Sequence, residues 1–567
     1  MISDAQEKAL ARILGIGAPF ITIFVINGSV TDPVNTPKFF ILGIVGMGAL
    51  GAIVQTHLIF STKYFPIPKI LLISFLVISA LTLFTSKAPL TQSLYGAYGR
   101  NNGILMYLFL SLIFMAAMFL RATTSYRKIL FGLIVAGLVN LLYCGWVLAF
   151  GEILAWTNPY KSILGTLGNP NFIGAFLGIF FSVFLAFVVA PGASKILRFS
   201  SLLILPVTAF ETYQSHAIQG RVLIAGGTGL VGFFWLKTKL KHRWPLWCYS
   251  LTGLAVGILA LAGALQIGPL TGAIYKTSVS LRGQYWIAGW NTGESHPFTG
   301  VGFDSFGDWY RRMRDVRAIS LPGVNTVVNT AHNVSIDIFA FGGWPLFLVY
   351  TAINLYVIVM IIRLARRTTS YDPIFVGLAV GWVCYFVQSL ISINQIGLAI
   401  WGWLLSGLII GYERVSQISD TDRMRKIGGD GSKKKQSDVN QVFGPGLTAG
   451  IAMVVGALLA VPPLSADMKW LSAQRSRSVS QFEQSLEPSY LNPQNSFKYL
   501  NSVKAFEDSN LTDLSHKYTL EALKFNPDSY DMWRALYLIK ASTVEERDLA
   551  VQNMKRLDPL NPDVTAP

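Results

Sequence analysis

The sequence predicts an all-α polytopic membrane protein, and three observations carry that prediction. Mean hydropathy is +0.47, and 52% of the 567 residues are hydrophobic. Only 13% are charged, against roughly 25% in soluble domains. Apolar runs of about 18 residues or more, each long enough to cross a hydrocarbon core of about 30 Å, recur from the N-terminus to Pro463.

About thirteen transmembrane helices follow. They lie near 13–29, 38–54, 68–85, 102–120, 129–150, 172–190, 199–211, 222–236, 246–266, 334–362, 373–392, 396–411 and 444–462. The two between 199 and 236 are short and interrupted by polar residues. No signal peptide is expected, because the first apolar stretch has no small-residue cleavage site and further spans follow at once.

The net charge of +16 invites a nucleic-acid reading, which the placement of the basic residues excludes. Arg121, Arg127 and Lys128 share one connection, and Lys195 and Arg198 another. Lys237, Lys239, Lys241 and Arg243 fill a third, and Arg363, Arg366 and Arg367 a fourth. Arg414, Arg423, Arg425, Lys426 and Lys433 to Lys435 fill the fifth. With the N-terminus in the cytoplasm all of them fall inside, as the positive-inside bias requires. The expected orientation therefore puts the N-terminus in the cytoplasm and the tail after Pro463 outside. Cys144, Cys248 and Cys384 show no CxxC spacing and imply neither a disulfide framework nor a metal site.

Four blocks are expected: a transmembrane block at 1–266, an extracytoplasmic loop at 267–333, a second transmembrane block at 334–463 and an extracytoplasmic tail at 464–567. The second block holds a basic cytoplasmic loop at 412–443, whose Gly/Lys-rich stretch IGGDGSKKKQSD is expected to be disordered. In the tail, Asn492-Pro493, Asn526-Pro527 and Asp558-Pro559 place prolines 34 and then 32 residues apart. That period, with Ala522 and Trp533 flanking the break, resembles a tetratricopeptide helix pair. A small α-helical repeat domain, packed on the outer face of the membrane block, is the expected form.

Polar groups at a membrane are costly unless they have work to do, and here they gather on the outer side. Arg100 lies in YGAYGRNNG, Asn169 and Asn171 in LGNPNFIGAF, and Gln214, Gln219 and Arg221 in TYQSHAIQGRVL. Arg282 opens the long loop, followed by Trp286 and Trp290, which reads as a short amphipathic helix on the membrane surface. His332-Asn333 closes the loop and Asn394-Gln395 completes the set. Arginines bind phosphate oxygens bidentately and stabilise developing negative charge. His332, with an ordinary pKa of about 6.5, can take a proton near neutral pH. Asp304, Asp308 and Asp315, among the loop arginines, are expected to be ion-paired or solvated. No acidic pair suits a divalent metal.

The order of these motifs resembles the O-antigen ligase superfamily, which groups O-antigen ligases, O-antigen polymerases and protein O-oligosaccharyltransferases. His332, Asn333 and Gly343 fit the family's histidine motif, and HPFTGVGFDSF (His296 to Phe306) the segment before it. YGRNNGILMYL and GNPNFIGAFL resemble two further family segments, and the match spans about 95 to 410. Trp344-Pro345 after Gly343, and QSHAIQGR around Arg221, depart from the usual pattern. The resemblance implies a membrane glycosyltransferase that takes a glycan from undecaprenyl diphosphate to an acceptor hydroxyl outside the cytoplasmic membrane, inverting and metal-independent, with no cofactor. Arg282, with Arg221 and Arg100, would grip the diphosphate, and His332 would act on the acceptor, a lipid, glycan or protein. Asn333, Gly343, Asn169, Asn171 and Gln214 would support the site. Two rivals stand beside this reading: a repeat-unit polymerase using the same donor, and a transporter of lipid-linked or anionic solutes, whose site would lie near the midplane.

Overall fold

The computed structural model describes residues 2–56, 59–154, 156–427 and 443–565. Residues 428–438, most of the stretch expected to be disordered, lie outside them. Every regular element among the described residues is a helix. The first block runs α1 (Asp4–Ile23), α2 (Asn35–Ile53), α3 (Pro66–Thr85), a short α4 (Leu90–Tyr95), α5 (Ile104–Ala117) and α6 (Thr123–Phe150). It continues with α7 (Pro170–Val188), α8 (Lys195–Gln214), α9 (Ile218–Lys239) and α10 (Trp244–Ala264). The long loop folds as α11 (Thr271–Ile274), α12 (Thr277–Ser295) and α13 (Phe306–Met313). Then come α14 (Val334–Arg367), α15 (Pro373–Ser389), α16 (Ile396–Ile427) and α17 (Pro445–Ser476).

Helices stand at all thirteen positions expected for spans. Nine of those among the described residues are long and apolar enough to cross a membrane on their own account, and the chain is a multi-pass membrane protein. α5 and α15 are apolar but shorter, whereas α1 and α9 carry charged residues near their ends. α16 runs on to Ile427, so helix covers the first part of the stretch at 412–443 where the sequence predicts a loop. Proline marks several starts: Asn169 caps α7 ahead of Pro170, and Asp372 caps α15 ahead of Pro373. At the first helical position proline forfeits no intrahelical bond.

One continuous core runs through the bundle, with Trp382 and Trp401 fully buried. Their indole N–H groups donate to Ser406 Oγ at 2.7 Å and Thr22 Oγ1 at 2.8 Å, satisfying the polar edge of each ring. α17 returns to pack along α2: a Cβ on Gly43 would stand 2.6 Å from the Ala460 Cβ and 2.8 Å from the Gly456 carbonyl oxygen. Small residues at this crossing bring the two backbones close, as membrane helices require in the absence of a hydrophobic drive. α10 stands at the periphery with its apolar side chains exposed.

Several connections are tied together at one end of the bundle. The Asn35 amide donates to the Gly99 carbonyl at 2.8 Å and that of Gln395 to Asn35 Oδ1 at 3.2 Å. Ser162 Oγ donates to the Gln214 carbonyl at 3.1 Å, and Lys276 Nζ to the His216 carbonyl at 3.2 Å.

The tail has its own core. It comprises α18 (Val479–Leu486), α19 (Ser496–Asp508), α20 (Thr512–Phe525), α21 (Tyr530–Leu538), α22 (Val544–Leu557) and α23 (Pro562–Thr565). α19 packs on α20, and α21 on α22, around Tyr499, Phe506, Tyr518, Trp533 and Met554. The residues before the second and third periodic prolines, Asn526 and Asp558, contact the loop, whereas Asn492 bonds within the tail. Asp558 is fully buried and accepts from Arg314 at 2.6 Å and Arg311 at 3.0 Å. The Asn526 amide donates to Asp308 Oδ2 at 3.3 Å. Arg312 pairs with Asp528 at 3.3 Å and lies over the Trp309 ring at 3.7 Å.

Candidate active site

The start of α14 is over-determined. Asn333 caps the helix, its Oδ1 accepting from the Ser335 and Ile336 N–H groups at 3.0 and 3.2 Å. Four residues further on, the buried Asp337 carboxylate accepts the Ala331 N–H at 2.7 Å. Between these two anchors His332 has φ +55°, a left-handed conformation uncommon outside glycine. Its Nδ1 lies 3.2 Å from the Thr330 carbonyl. The Thr330 hydroxyl is 3.3 Å from the same nitrogen; the tautomer that satisfies the carbonyl carries its proton on Nδ1 and leaves Nε2 its lone pair.

The His332 ring lies tilted against Tyr285, centroids 5.3 Å apart. Burial is the main reason its pKa falls to about 4; the bond to the Thr330 carbonyl raises it, and the charges of Arg100 and Arg282 lower it further. The structure thus brings His332, Arg282 and Arg100 into one electrostatic neighbourhood. At neutral pH the imidazole is an uncharged acceptor.

Arg282 and Tyr285 share a face of α12, three residues apart. The sequence predicts a short surface helix here. The helix has 19 residues and packs along α14, because glycines at the crossing remove the side chains that would hold it off. A Cβ on Gly289 would lie 2.5 Å from Ile336 Cγ2 and 2.9 Å from the Ala331 Cβ. Arg282 Nη1 donates to its own helix at the Ser278 carbonyl, 3.4 Å away. Its Nε is buried without a hydrogen-bond partner, and burial pushes the guanidinium below its ordinary pKa. A half-buried cation whose Nε–H is buried and unused departs from the usual rule that buried polar groups are paired, and an anion is the natural complement.

Arg100 arrives on the turn between α4 and α5. Asp304 holds that turn, its Oδ2 accepting the Ala97 N–H at 2.7 Å and the Asn102 N–H at 3.3 Å. Burial pushes the Asp304 carboxyl up to about 6, opposed by the Ala97 bond and the charge of Arg100. This corrects the expectation that Asp304 is ion-paired or solvated: it is 2% exposed and bonded to backbone. Asp308 accepts from the amides of Gln92 and Asn526 at 3.2 and 3.3 Å. Of the three, Asp315 pairs with an arginine, Arg317, at 2.8 Å. Asp304 and Asp337 are the positioning residues that sequence reasoning missed; the one signal was an acid inside each of two apolar segments, GVGFDSF and VSIDIF.

Gly343 explains the spacing of the histidine motif. α14 breaks at Gly342 and Gly343, the latter with φ +64° and ψ −163°. Into the break fits the loop of His296 to Gly302: the Trp344 N–H donates to the Pro297 carbonyl at 2.7 Å. Val301 and Gly302 donate to the carbonyls of Ala340 and Phe341 at 2.9 and 3.1 Å. Backbone groups freed by the kink are thereby paired. A Cβ on Gly343 would collide with the Pro297 carbonyl, and one on Gly300 with the backbone of Phe341. The two motifs are one unit, and it delivers Asp304 to the Arg100 turn.

The remaining candidates lie elsewhere. Asn169 caps α7 by accepting the Asn171 N–H at 2.9 Å and donates to the Tyr160 hydroxyl at 3.2 Å. The Asn171 carbonyl accepts from the Gln219 amide. Gln214 ends α8, its carbonyl accepting from Ser162. Arg221, in the first turn of α9, is exposed and stands 5.7 Å from the Tyr213 ring. Its charge is not among those acting on His332. No group of three or more potential metal-ligating His, Cys, Asp or Glu side chains occurs among the described residues.

Residues 201–351 match the family model described as O-antigen ligase. That segment runs from α8 to the middle of α14 and includes Arg221, Arg282, His332 and Gly343; Arg100 and the tail lie outside it. None of the curated proteins matches the chain.

Proposed function

With an O-antigen ligase domain at residues 201–351 as premise, we propose that this membrane protein transfers a glycan from undecaprenyl diphosphate to an acceptor hydroxyl at the outer face of the cytoplasmic membrane. The observation that carries the reading is a half-buried guanidinium with a buried, unused Nε–H, Arg282, whose charge acts on a neutral imidazole at His332. Arg282 and Arg100 hold the donor diphosphate, and Arg221, exposed at the start of α9, adds positive charge to the same face of the bundle. His332 Nε2 takes the proton of the acceptor hydroxyl as that oxygen bonds to the anomeric carbon from the opposite face. The bond from that carbon to the phosphate oxygen breaks, and the lipid diphosphate leaves with its electron pair, stabilised by the guanidinium groups. The sugar inverts, and no metal takes part.

The positive-inside bias supports placing this end of the bundle outside. The tetratricopeptide-like period of the tail supports a role for it in acceptor recognition. A polymerase would use the same residues and differ only in the acceptor. Polar groups gathered at one end of the bundle weigh against transport.

The test is transfer by the purified full chain, given a short undecaprenyl-diphosphate glycan with chelator present and products resolved by mass. Removing the proton acceptor in His332→Ala is expected to cost about 10²–10⁴-fold, and Arg282→Ala about 10²–10³-fold. Full activity in either well-inserted variant overturns the assignment. A longer lipid-linked chain as product identifies a polymerase; transfer to a supplied lipid, glycan or protein identifies a ligase.

A further inference from the structure

Between the tail and the bundle lies a cleft of about 260 Å³ that the reading above leaves unused. Its walls come from the α4–α5 turn, the segment before His332, α17 and the start of α19. Four carboxylates line it (Asp304, Asp308, Asp467 and Asp531) against a single lysine, Lys498, and no arginine. Lys498 is engaged, donating to Asn492 Oδ1 at 2.7 Å.

Two of those walls are aromatic and held. Tyr98 stacks on Phe497 of α19 with ring centroids 4.2 Å apart and planes at 10°, and its hydroxyl donates to Asp467 Oδ1 at 2.7 Å. Two polar groups at the cleft remain unused. Asp304 Oδ1 is buried without a partner, although its Oδ2 is doubly bonded to backbone N–H groups. Asn329, exposed at the lining, makes no side-chain hydrogen bond among the described residues. The buried, unpaired Asp304 oxygen calls for a hydroxyl donor, and the exposed Asn329 amide at the same cleft can donate to or accept from a sugar hydroxyl. Four carboxylates disfavour an anionic one. The volume, below the roughly 300 Å³ at which drug-sized pockets begin, suits about one or two sugar rings.

We propose that this cleft is a saccharide subsite, holding an uncharged or amino-sugar segment of the glycan beside the reaction centre. The proposal rests on the glycosyltransferase reading. Asn329 precedes His332 by three residues, which span at most about 10 Å of extended chain, so a sugar in the cleft lies within a ring or two of the imidazole. The saccharide is either the acceptor or the donor's own glycan, both of which present the same hydroxyl chemistry.

The experiment titrates the full chain in lipid nanodiscs with tetra-N-acetylchitotetraose, tetraglucosamine, maltotetraose and tetragalacturonate, followed by calorimetry. At least one neutral or amino tetrasaccharide is expected to bind saturably, with tetragalacturonate at least about tenfold weaker. Asn329→Ala weakens binding about fivefold, the cost of one lost hydrogen bond, and Asn329→Trp, which fills the cleft, removes it. His332→Ala binds as the wild type does, so failure of transfer and failure of the subsite are read separately. In the transfer assay a raised KM for acceptor alone assigns the cleft to the acceptor, and for donor alone to the donor glycan. No saturable binding of any neutral or amino probe at millimolar concentration overturns the proposal. So does tetragalacturonate binding as tightly as they do, or an affinity unchanged in both Asn329 variants.

Discussion

The Asp337 carboxylate accepts the Ala331 N–H at 2.7 Å, and the next residue along the chain is His332. A side chain one turn inside α14 thus fixes the backbone that aims the imidazole, from the far side of the Asn333 cap. Asp337→Ala would leave a buried N–H unpaired and free His332 to move. A displacement of about 1 Å costs on the order of 10²-fold in rate. The expected outcome is a fall in kcat with donor KM unchanged, rescued in Asp337→Asn, whose carbonyl still accepts. Steady-state kinetics of the two variants check it.

Gly343→Ala should destabilise the whole site. Its φ of +64° with ψ −163° is a conformation essentially reserved for glycine, and the added Cβ meets the Pro297 carbonyl. Strain and overpacking together cost about 2–5 kcal/mol. A lowered Tm accompanied by loss of transfer is expected, measured by fluorescence-detected thermal unfolding.

The arginines should rank by burial. Arg282, with a buried unpartnered Nε, is expected to cost about 10²–10³-fold when replaced by alanine. Arg221, exposed to solvent, should cost less than about tenfold, since exposed charge contacts are worth roughly 1 kcal/mol or less. Parallel donor titrations of the two variants decide the order.

Acid should reach this site late. His332, ordinarily at about 6.5, is lowered to about 4 by burial, so it is neutral at pH 7 and stays so on moderate acidification. In the free enzyme kcat/KM is expected to hold from pH 7 to about 5 and to fall as the ring protonates near 4. For stability the sign follows from the same shift. Between about 4 and 6.5 the unfolded chain binds the extra proton, so this residue's contribution is complete above 6.5 and lost as pH falls towards 4. Asp304, raised to about 6, acts oppositely: its contribution is complete below its ordinary 3.8 and lost as pH rises through 6. Unfolding measured against pH for His332→Ala and Asp304→Asn should each lose one of these slopes.

Asp558→Ala should loosen the tail. Its carboxylate is fully buried between Arg311 and Arg314, and stranding buried partners costs about 3–5 kcal/mol. Limited proteolysis should then release the tail helices, and saccharide binding in the cleft should be lost with them.

Much of this was legible without coordinates. Hydropathy alone sets the thirteen helix positions, because the bilayer imposes a minimum apolar length on each. It did not foresee that α16 extends to Ile427 or that α12 packs along α14, since those extents depend on contacts rather than composition. Proline capping placed Asn169 at the start of α7 for a local reason. His332, Arg282 and Arg100 could be picked out singly, each being a costly polar group at a membrane edge. Asp304 and Asp337 could not: a carboxylate that pairs with backbone N–H groups has no partner motif in sequence, and nothing in GVGFDSF says which turn it will hold.

The sequence by itself determined the membrane class and the spacing of helices, and it singled out a few candidate residues whose chemistry suits gripping an anion or taking a proton. Those follow from hydrocarbon thickness and side-chain chemistry, which act residue by residue. Only the tertiary structure decided that the Gly300–Gly302 loop fills the kink at Gly343, that Arg282 keeps an unused donor beside His332, and that the tail closes a cleft over Asn329. Each of these depends on which backbone groups are left unpaired when distant segments meet, and that is settled by packing.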